Sequence, residues 1–281
     1  MKDKMQNSLM RTDTDDKWNE WFAGLLDGDG YFYISKTKEV SLEITTHITD
    51  ARLLTHVKDK LGGGSLKPRS NSQSIRYRVK AKNIIQNVLL RVNGHLRNQN
   101  RLRQFREACR LFQLESLNPS ALSPTSPYIA GLIDSDGTIA MNVSATTAEL
   151  ATVAGVEGRI QRLIYARGSH QVRLTIASVD KANIEFLVQT YKLGTIYTIP
   201  PKPKSKAKLM QYHWVIRKES DFLAMYQALR NFPLKSVKMH RIRLLPIYFK
   251  YKQLKYHLRN PDEVEFKLWE KFCRLWYKYS Y

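Results

Sequence analysis

Hydrophobic and polar residues alternate in short segments of both halves of the chain, and this alternation predicts half-buried β-strands. The segments are Tyr31–Ser35, Val40–Ile44 and Ile75–Lys80 in the first half, and Gln171–Ile176 and Gln211–Arg217 in the second. Helical spacing of apolar residues precedes the first strands, at Trp18, Phe22, Leu25 and Leu26. The pattern therefore predicts both helices and strands in each half.

A nine-residue segment occurs twice in the chain. The copies are Phe22–Gly30 (FAGLLDGDG) and Ile129–Gly137 (IAGLIDSDG). They lie 107 residues apart and agree at six of nine positions. A second spacing is also shared, because 18 residues separate Ile44 from Gly62 and Ile176 from Gly194, where helices are predicted to end. The duplication therefore extends beyond the segment and sets the architecture.

Composition divides the chain into five parts. Asn118–Pro127 reads NPSALSPTSP, which is typical of a linker. The predicted parts are a leader (1–17), a first repeat (18–117), a linker (118–126), a second repeat (127–245) and a C-terminal helical extension (246–281). Asp15 or Asp16 is expected to cap the first motif helix, and Gly30 and Gly137 to end the motif helices in the left-handed conformation.

The extension is predicted to end in a helix. Asn260 is its expected N-cap and Pro261 its first residue. The apolar stripe of this helix consists of Val264, Leu268, Phe272, Leu275 and Trp276. The spacing predicts that the stripe is a packing surface.

Glycine occupies the interior of both motif helices, at Gly24 and Gly131. Such a glycine costs about 1 kcal/mol relative to alanine, so the position should require a small residue. Close approach of the two helix backbones is the simplest account, and it would bring Asp29 and Asp136 together at one end. Adjacent carboxylates repel one another unless cations lie between them, and divalent cations there could activate water against a phosphodiester. The repeat therefore predicts a metal-dependent, phosphodiester-cleaving site.

The charge of the chain narrows the class of partner. Lys and Arg total 46 against 25 Asp and Glu, a formal net charge of +21, which indicates a polyanionic partner. The two cysteines are too few for a disulfide framework, and the histidines and cysteines match no zinc-ligand spacing. No apolar run approaches the roughly 18 residues of a membrane span, and the N-terminus does not resemble a signal peptide.

Both copies of the nine-residue segment resemble the LAGLIDADG signature of intron-encoded homing endonucleases, in the single-chain, two-repeat, monomeric form. The resemblance covers about Trp18 to Arg241. It implies an α+β fold of two pseudo-symmetric αββαββα repeats, with antiparallel sheets that form a DNA-binding saddle and motif helices at the central interface. It also implies a site-specific endonuclease that cuts both strands of double-stranded DNA at a long asymmetric target.

The resemblance further implies which residues hold the metal. Asp29 and Asp136 would be the catalytic metal ligands, and the main-chain carbonyls of Gly28 and Ser135 would assist them. Asp27 and Asp134 would be helix-end and interface residues. The implied cofactor is Mg²⁺, and Ca²⁺ is expected to support DNA binding without cleavage.

Members of this family also carry a basic residue near the last strand–helix junction of each repeat. Leu234–Lys238 (LKSVK) resembles that segment and nominates Lys235 and Lys238 as catalytic residues. Leu96–Asn100 aligns with it in the first repeat and nominates Arg97. Each would order the hydrolytic water or stabilise charge at the phosphate. A plain phosphate contact is the alternative for each.

One face of the strands is expected to contact DNA, because Arg and Lys read guanine edges whereas loop lysines mostly hold phosphates. The expected contacts in the first repeat are Tyr31, Tyr33, Ser35, Arg69, Arg76, Arg78 and Lys80. Those in the second repeat are Arg173, His213 and Arg217, together with Lys202 and Lys204 of a basic loop. The alternative is an exposed charged face without a ligand.

Two other functions stay open. One is an RNA-binding maturase that assists splicing of its own group I intron, and the basic segment Lys250–Arg259 could bind that RNA. The other is a catalytically inactive DNA-binding regulator, which the presence of both Asp29 and Asp136 disfavours. The resemblance also implies an organellar intron as the coding source, and hence a location in a mitochondrion or chloroplast with no targeting peptide.

Overall fold

The computed structural model describes residues 13–201 and 209–280. The chain divides into two compact units. The first comprises residues up to His47 together with Leu54–Ser135, and the second comprises Ile48–Leu53 together with the residues from Asp136 onward. Most of the expected leader lies outside the described residues, and the five predicted parts of the chain stay predictions.

The first unit is built on a four-stranded antiparallel sheet in the order β1-β2-β4-β3. Its strands are β1 (Gly30–Ile34), β2 (Val40–His47), β3 (Ser65–Pro68) and β4 (Ser74–Val79). The helices in this part of the chain are α1 (Asp13–Asp29), α2 (Ala51–Leu61), α3 (Lys82–Val92), α4 (Gln99–Leu111) and α5 (Tyr128–Asp136). The short 3-10 helix Ile48–Asp50 lies between β2 and α2.

The start of α1 differs from the prediction. The helix begins at Asp13, so Asp15 and Asp16 lie inside it and neither is its N-cap. Asp15 instead forms an ion pair with Lys60 of α2 (Oδ1–Nζ 2.5 Å). The hydrogen bond and the nearby positive charge lower the pKa of the Asp15 carboxyl.

The second unit is built on an equivalent sheet, in the order β5-β6-β8-β7. Its strands are β5 (Gly137–Val143), β6 (His170–Ser178), β7 (Thr195–Ile199) and β8 (Gln211–Ile216). The helices described here are α6 (Ala148–Thr152), α7 (Gly155–Ile164), α8 (Ala182–Tyr191), α9 (Glu219–Asn231), α10 (Lys238–Gln253) and α11 (Val264–Trp276), with the 3-10 helix Tyr256–Leu258 before α11.

The two sheets have the same connectivity and the same register. Ile44 pairs with Tyr77 on one side and with a motif glycine on the other, and Ile176 pairs in the same way with Trp214 and the second motif glycine. This confirms the prediction of an α+β fold with two pseudo-symmetric αββαββα repeats. The edge strands β3 and β7 were not predicted, because both are short and mostly exposed and so lack apolar alternation.

The second repeat is longer because α6 and α7 are inserted between β5 and β6. Helix α7 packs against α11, where Trp269 Nε1 donates to the carbonyl oxygen of Ile164 at 3.1 Å. The rings of Tyr165 and Phe266 lie 6.1 Å apart beside this bond. The insertion and the C-terminal helix therefore support one another.

Helix α11 differs from its prediction in two ways. It begins at Val264, with Glu263 as N-cap, so Asn260 and Pro261 lie before the helix. Its buried face consists of Phe266, Trp269, Phe272, Cys273 and Trp276. Val264, Leu268 and Leu275 of the predicted stripe are exposed. The prediction was wrong for these three because the large aromatic side chains, and not the aliphatic ones, fill the interface.

Helices α1 and α5 pack with their backbones in direct contact. A Cβ atom added at Gly24 would lie 2.1 Å from the carbonyl oxygen of Tyr128, and one added at Gly131 would lie 1.9 Å from that of Trp21. No side-chain atom can approach a backbone oxygen so closely. Both positions therefore require glycine, as the sequence predicted.

Two buried polar contacts join the same helices. Trp21 Nε1 donates to Asp134 Oδ2 at 2.9 Å, and the Tyr128 hydroxyl donates to Asp27 Oδ2 at 2.7 Å. Trp21 and Tyr128 occupy equivalent positions in the two copies of the motif, as do Asp27 and Asp134. The same kind of aromatic–carboxylate contact therefore occurs twice, once from each helix to the other.

The motif helices do not end in left-handed glycines. Gly30 and Gly137 are the first residues of β1 and β5, and neither is among the described residues with positive φ. A Cβ atom at Gly30 would lie 2.8 Å from Leu26 Cα, so close packing explains that glycine. Gly62 does follow α2 with a φ of +76°, which confirms the predicted end of that helix. Helix α8 ends earlier than predicted, at Tyr191.

A histidine lies in the aromatic core of the second unit. His170 is 4% exposed, and its Nδ1 atom lies 3.1 Å from the Tyr248 hydroxyl. Its ring centroid lies 4.9 Å from that of Trp269 and 5.0 Å from that of His257. Burial, reinforced by the nearby His257 and Lys252, lowers the pKa of His170 to about 3.

Alanine at Gly24 or Gly131 is expected to destabilise the protein by about 3 kcal/mol, because the added methyl group forces the two helix backbones apart. The free energy of unfolding in urea, followed by circular dichroism, measures the loss. Gly63→Ala is the control, since a Cβ atom there would meet only the tip of the Ile84 side chain. A loss below about 1 kcal/mol at both motif glycines would contradict the packing account.

Lowering the pH from 7 to 5 is expected to remove about 2 kcal/mol of stability through His170. Its pKa is about 3 in the folded protein and near 6.5 when unfolded, so the unfolded chain takes up the proton first as the pH falls. Stability is therefore lost progressively from pH 6.5 towards pH 3.

Urea unfolding of the wild type and of His170→Gln at pH 7 and pH 5 tests this dependence, and the variant should lose correspondingly less on acidification. Trp269→Phe is the control, because it weakens the same aromatic cluster but keeps the histidine. This control should be less stable at both pH values, with the pH dependence of the wild type. The same pH dependence in His170→Gln would show that another group is responsible.

Candidate functional site

The two motif acids nominated as metal ligands are the last residues of their helices. Asp29 ends α1 and is half-buried, and Asp136 ends α5 and is exposed. The last carbonyl groups of a helix carry partial negative charge, and a carboxylate at the same end adds to it. Both helix ends therefore favour a cation.

The donor atoms available at these ends fit a hard divalent cation. Carboxylate and main-chain carbonyl oxygens are the ligands that Mg²⁺ and Ca²⁺ prefer. Within the described residues, no group of three or more His, Cys, Asp or Glu side chains is placed to hold a metal ion. A metal ion at either motif acid would thus need carbonyl, water or substrate oxygens to complete its coordination shell. The Ser135 hydroxyl donates to the carbonyls of Gly131 and Leu132, both at 3.1 Å.

The other two motif acids are structural. Asp27 and Asp134 are 2% and 3% exposed, and each accepts a hydrogen bond from the opposite motif helix. Burial raises the pKa of Asp27 to about 6, although the Tyr128 hydroxyl and the Arg97 main-chain N–H oppose the shift by donating to the carboxylate. Their burial agrees with the interface role expected for them.

Two residues of α4 hold the turn that carries Asp29. Arg101 is 9% exposed, and its Nε donates to the carbonyl oxygen of Leu26 at 2.8 Å. Its Nη1 donates to Gln104 Oε1, which also accepts from the Phe32 main-chain N–H at 3.3 Å. Sequence reasoning missed both residues. An arginine within the apolar spacing of α4 (Leu102, Phe105 and Cys109 are buried) was the available signal.

The nominated basic residues differ in what they contact. Arg97 stacks over the Tyr128 ring at 4.9 Å and donates to the Ser120 carbonyl at 2.7 Å, so its side chain fixes the linker to the motif helices. Lys235 is exposed, and Lys238 is the half-buried first residue of α10. The segment that carries both lysines is anchored by Asp50, whose Oδ1 accepts from the Val237 main-chain N–H at 2.7 Å.

The first sheet presents one polar face, as predicted. Tyr31 and Tyr33 are 47% and 42% exposed, whereas Phe32 between them is 2% exposed. Arg76 and Arg78 alternate with the buried Ile75, Tyr77 and Val79 of β4. Both arginines pair with Glu43 of β2, a residue that the sequence reasoning did not include. The exposed Lys80 follows β4.

Two other nominated residues of the first repeat lie in turns. The Ser35 hydroxyl lies 2.8 Å from that of Thr37 and accepts from the Glu39 main-chain N–H, so it stabilises the turn between β1 and β2. Arg69 follows β3, where its main-chain N–H donates to the Ser74 carbonyl at 2.9 Å and its side chain is exposed.

The second sheet presents a different set of side chains. Arg173 lies on β6, and His213 lies on β8 with its Nε2 3.2 Å from Gln211 Oε1. Burial and the nearby Arg173 lower the pKa of His213. Arg217 follows β8 and lies over the Tyr197 ring at 4.8 Å. Lys202 and Lys204 lie outside the described residues.

None of the helices in the described parts of the chain is long and apolar enough to cross a membrane. Both cysteines, Cys109 and Cys273, are buried and free, which agrees with the absence of a disulfide framework.

Comparison with known proteins shows which family this chain is similar to. The model of the LAGLIDADG endonuclease family matches residues 22–109. The chain is 29% identical over 266 residues to the probable intron-encoded endonuclease aI2 of Debaryomyces hansenii, covering 94% of this chain and 38% of the relative. It is 31% identical over 269 residues to the intron-encoded RNA maturase bI4 of Saccharomyces cerevisiae, covering 94% of this chain and 37% of the relative. The chain thus spans little more than a third of these two relatives.

Solved structures share the fold. The LAGLIDADG meganuclease I-AabMI bound to uncleaved DNA aligns with a TM-score of 0.64 at 15% identity, over 90% of this chain and 98% of that one. I-SmaMI, bound to its uncleaved DNA target in the presence of calcium ions, aligns with a TM-score of 0.58 at 14% identity, over 90% of this chain and 97% of that one. These structures show that the chain shares the fold of the LAGLIDADG meganucleases, here with both repeats in one chain. The match of the family model and the intron-encoded relatives show that its sequence is similar to the LAGLIDADG endonuclease family.

Proposed function

We propose that the protein is a site-specific endonuclease that hydrolyses both strands of double-stranded DNA at a long asymmetric target. The observation that carries the proposal is the pair of motif acids, Asp29 and Asp136, each at the C-terminal end of its motif helix. The basic composition of the chain and the DNA-bound relatives of the same fold support it.

The proposed cofactor is Mg²⁺, held by the carboxylates of Asp29 and Asp136 with help from the main-chain carbonyls of Gly28 and Ser135. A divalent metal bound to such oxygens supplies Lewis acidity and lowers the pKa of a bound water. The negative ends of α1 and α5 favour that cation, and Arg101 fixes the end of α1 through the Leu26 carbonyl. Ca²⁺ is expected to support DNA binding without cleavage, and the calcium-containing structure of I-SmaMI on uncleaved DNA agrees with this.

Lys235 and Lys238 are the preferred candidates for the catalytic cation near the phosphate. The Lys235 side chain is exposed and Lys238 is half-buried, so substrate can reach both. Arg97 is the candidate in the first repeat, where its guanidinium also holds the Ser120 carbonyl and stacks on Tyr128. The role of each cation would be to stabilise charge on the phosphate or to orient the attacking water.

The polar faces of the two sheets are the proposed DNA-binding surfaces. In the first repeat the proposed contacts are Tyr31, Tyr33, Ser35, Arg69, Arg76, Arg78 and Lys80. In the second they are Arg173, His213, Arg217, Lys202 and Lys204. The register places Arg76 at the position equivalent to His213, so the two faces differ chemically. An asymmetric target follows from that difference.

An RNA maturase is the second candidate. The observation that favours it is the 31% identity to a relative named an RNA maturase. Lys250, Lys252, Lys255 and Arg259 near the end of α10 are exposed and could hold RNA phosphates. Because relatives are named intron-encoded, we propose that this chain is also encoded in an intron. Its location in a mitochondrion or chloroplast stays a prediction.

Asp29→Asn and Asp136→Asn are each expected to reduce DNA cleavage at least about 1,000-fold, because the amide cannot replace the negative charge that holds the metal. The measurement is cleavage of a library of intron-insertion-site DNA in Mg²⁺, in Ca²⁺ and in EDTA. Discrete double-strand cuts should appear only in Mg²⁺. DNA binding in Ca²⁺ should be retained within about tenfold, since most contacts come from the sheets.

Asp262→Asn is the matched control, because Asp262 is an exposed acid outside both motifs. It should cut like the wild type. Cleavage by either motif variant at the wild-type rate would disprove the site assignment. A wild-type protein that binds intron RNA but cuts no DNA would favour the maturase, and one that binds DNA specifically without cutting it would favour the regulator.

A further inference from the structure

One carboxylate lies between two arginines on the polar face of the first sheet. Arg76 Nη1 donates to Glu43 Oε2 at 3.1 Å, and Arg78 Nε lies 2.9 Å from Glu43 Oε1. The first contact is an aligned hydrogen bond, and the second is an ion pair by distance. Both oxygens of Glu43 are therefore engaged, one with each guanidinium. We name these three residues the Arg–Glu–Arg clamp.

The clamp is set by strand register. Glu43 of β2 is directly opposite Arg78 of β4, and Thr45 is opposite Arg76. Glu43 thus reaches straight across to one arginine and diagonally to the other, which is within range for long side chains. The Glu43 side chain is 18% exposed, whereas those of Arg76 and Arg78 are 37% and 33% exposed. The carboxylate is the inner member, and the guanidinium groups face outward.

Each guanidinium keeps a free edge of two nitrogen atoms. Arg76 uses Nη1, which leaves Nε and Nη2, and Arg78 uses Nε, which leaves Nη1 and Nη2. Two adjacent N–H donors are what the O6 and N7 acceptors of guanine require in the major groove. The contacts with Glu43 therefore restrict the arginines without consuming their capacity to read a base.

Stability alone does not account for the clamp. Ion pairs between partly exposed side chains contribute about 0–1 kcal/mol, because solvent screens the attraction and both side chains lose freedom. A carboxylate on a DNA-facing surface also repels phosphate, which lowers general affinity. Orientation of the two arginines is a benefit that offsets both costs, because less rotamer freedom remains to be lost on binding.

The second sheet has no equivalent arrangement. The register places Thr175 at the position of Glu43 and Val215 at the position of Arg78. Threonine and valine carry no charge, and both side chains are nearly buried, with Thr175 9% and Val215 5% exposed. Among the residues that the structure describes, the clamp therefore occurs in the first repeat and not at the equivalent positions of the second.

We propose that Arg76 and Arg78 each read one guanine in the half of the target that the first sheet binds, and that Glu43 is the positioning residue for both. Residues two apart on a strand are about 7 Å apart, which is about two base-pair steps of DNA. The two guanines should therefore lie two base pairs apart. This inference rests on the proposed function, because it assumes that the polar face of the first sheet binds DNA.

Selection from a randomised duplex DNA library in Ca²⁺, followed by sequencing, tests the proposal. The wild type should enrich guanine at two positions that lie two base pairs apart, with one base pair between them. Arg76→Gln should lose about tenfold of the guanine preference at one position, and Arg78→Gln should lose it at the other. Glu43→Gln should weaken the preference at both positions while non-specific DNA binding stays equal or becomes tighter, since a negative charge is removed. Glu39→Gln, an exposed glutamate in the turn before the same strand, is the control.

The possible failures are distinguishable. If the wild type enriches no sequence, the proposed function itself fails. If the wild type selects a target but neither arginine variant changes a guanine position, only the proposal for the clamp fails. If Glu43→Gln sharpens the guanine preference, the carboxylate restrains the arginines instead of positioning them, and the proposal is overturned. Thermal unfolding of each variant is followed by circular dichroism. A midpoint within a few degrees of the wild-type midpoint excludes misfolding as the cause.

Discussion

The contact between the backbones of α1 and α5 is the constraint on which the rest of the molecule depends. At Gly24 and Gly131 the helices approach until no Cβ atom fits, and the buried Trp21–Asp134 and Tyr128–Asp27 bonds fix their rotation. Each helix then runs directly into the first strand of its repeat, at Gly30 and Gly137. Each motif helix therefore fixes where the first strand of its own repeat begins and where its own terminal acid, Asp29 or Asp136, is held.

Burial of four polar side chains in this contact has a physical reason. A purely apolar interface would tolerate rotation of one helix against the other, because dispersion contacts are weakly directional. An indole or phenol that donates to a buried carboxylate leaves an unsatisfied charge as soon as the helices slip. The pKa of Asp27 is raised to about 6, because burial raises it by more than these hydrogen bonds lower it. Specific alignment is thus obtained at some cost in stability.

Much of the architecture could be predicted from the sequence, because the motif glycines, the strand alternation and the repeat spacing are local patterns with one physical cause each. Three features could not. The edge strands β3 and β7 lack a buried face, the inward face of α11 depends on contacts with α7, and the need for Gly30 comes from the packing of Leu26 against it. At the site, Arg101 and Glu43 were missed for the same reason, since their partners lie 75 and 33 residues away in the chain.

The two repeats differ at equivalent positions of their sheet strands. The motif segments agree at six of nine positions, and most of their residues are buried. On the polar faces the equivalent positions hold Glu43 and Thr175, Arg76 and His213, and Arg78 and Val215. In the first sheet these side chains are partly exposed and alternate with buried residues of the same strands, whereas Thr175 and Val215 of the second sheet are 9% and 5% exposed. The same strand pairing therefore carries chemically different side chains in the two sheets, whereas the motif segments of α1 and α5 keep the same residue at six of nine positions.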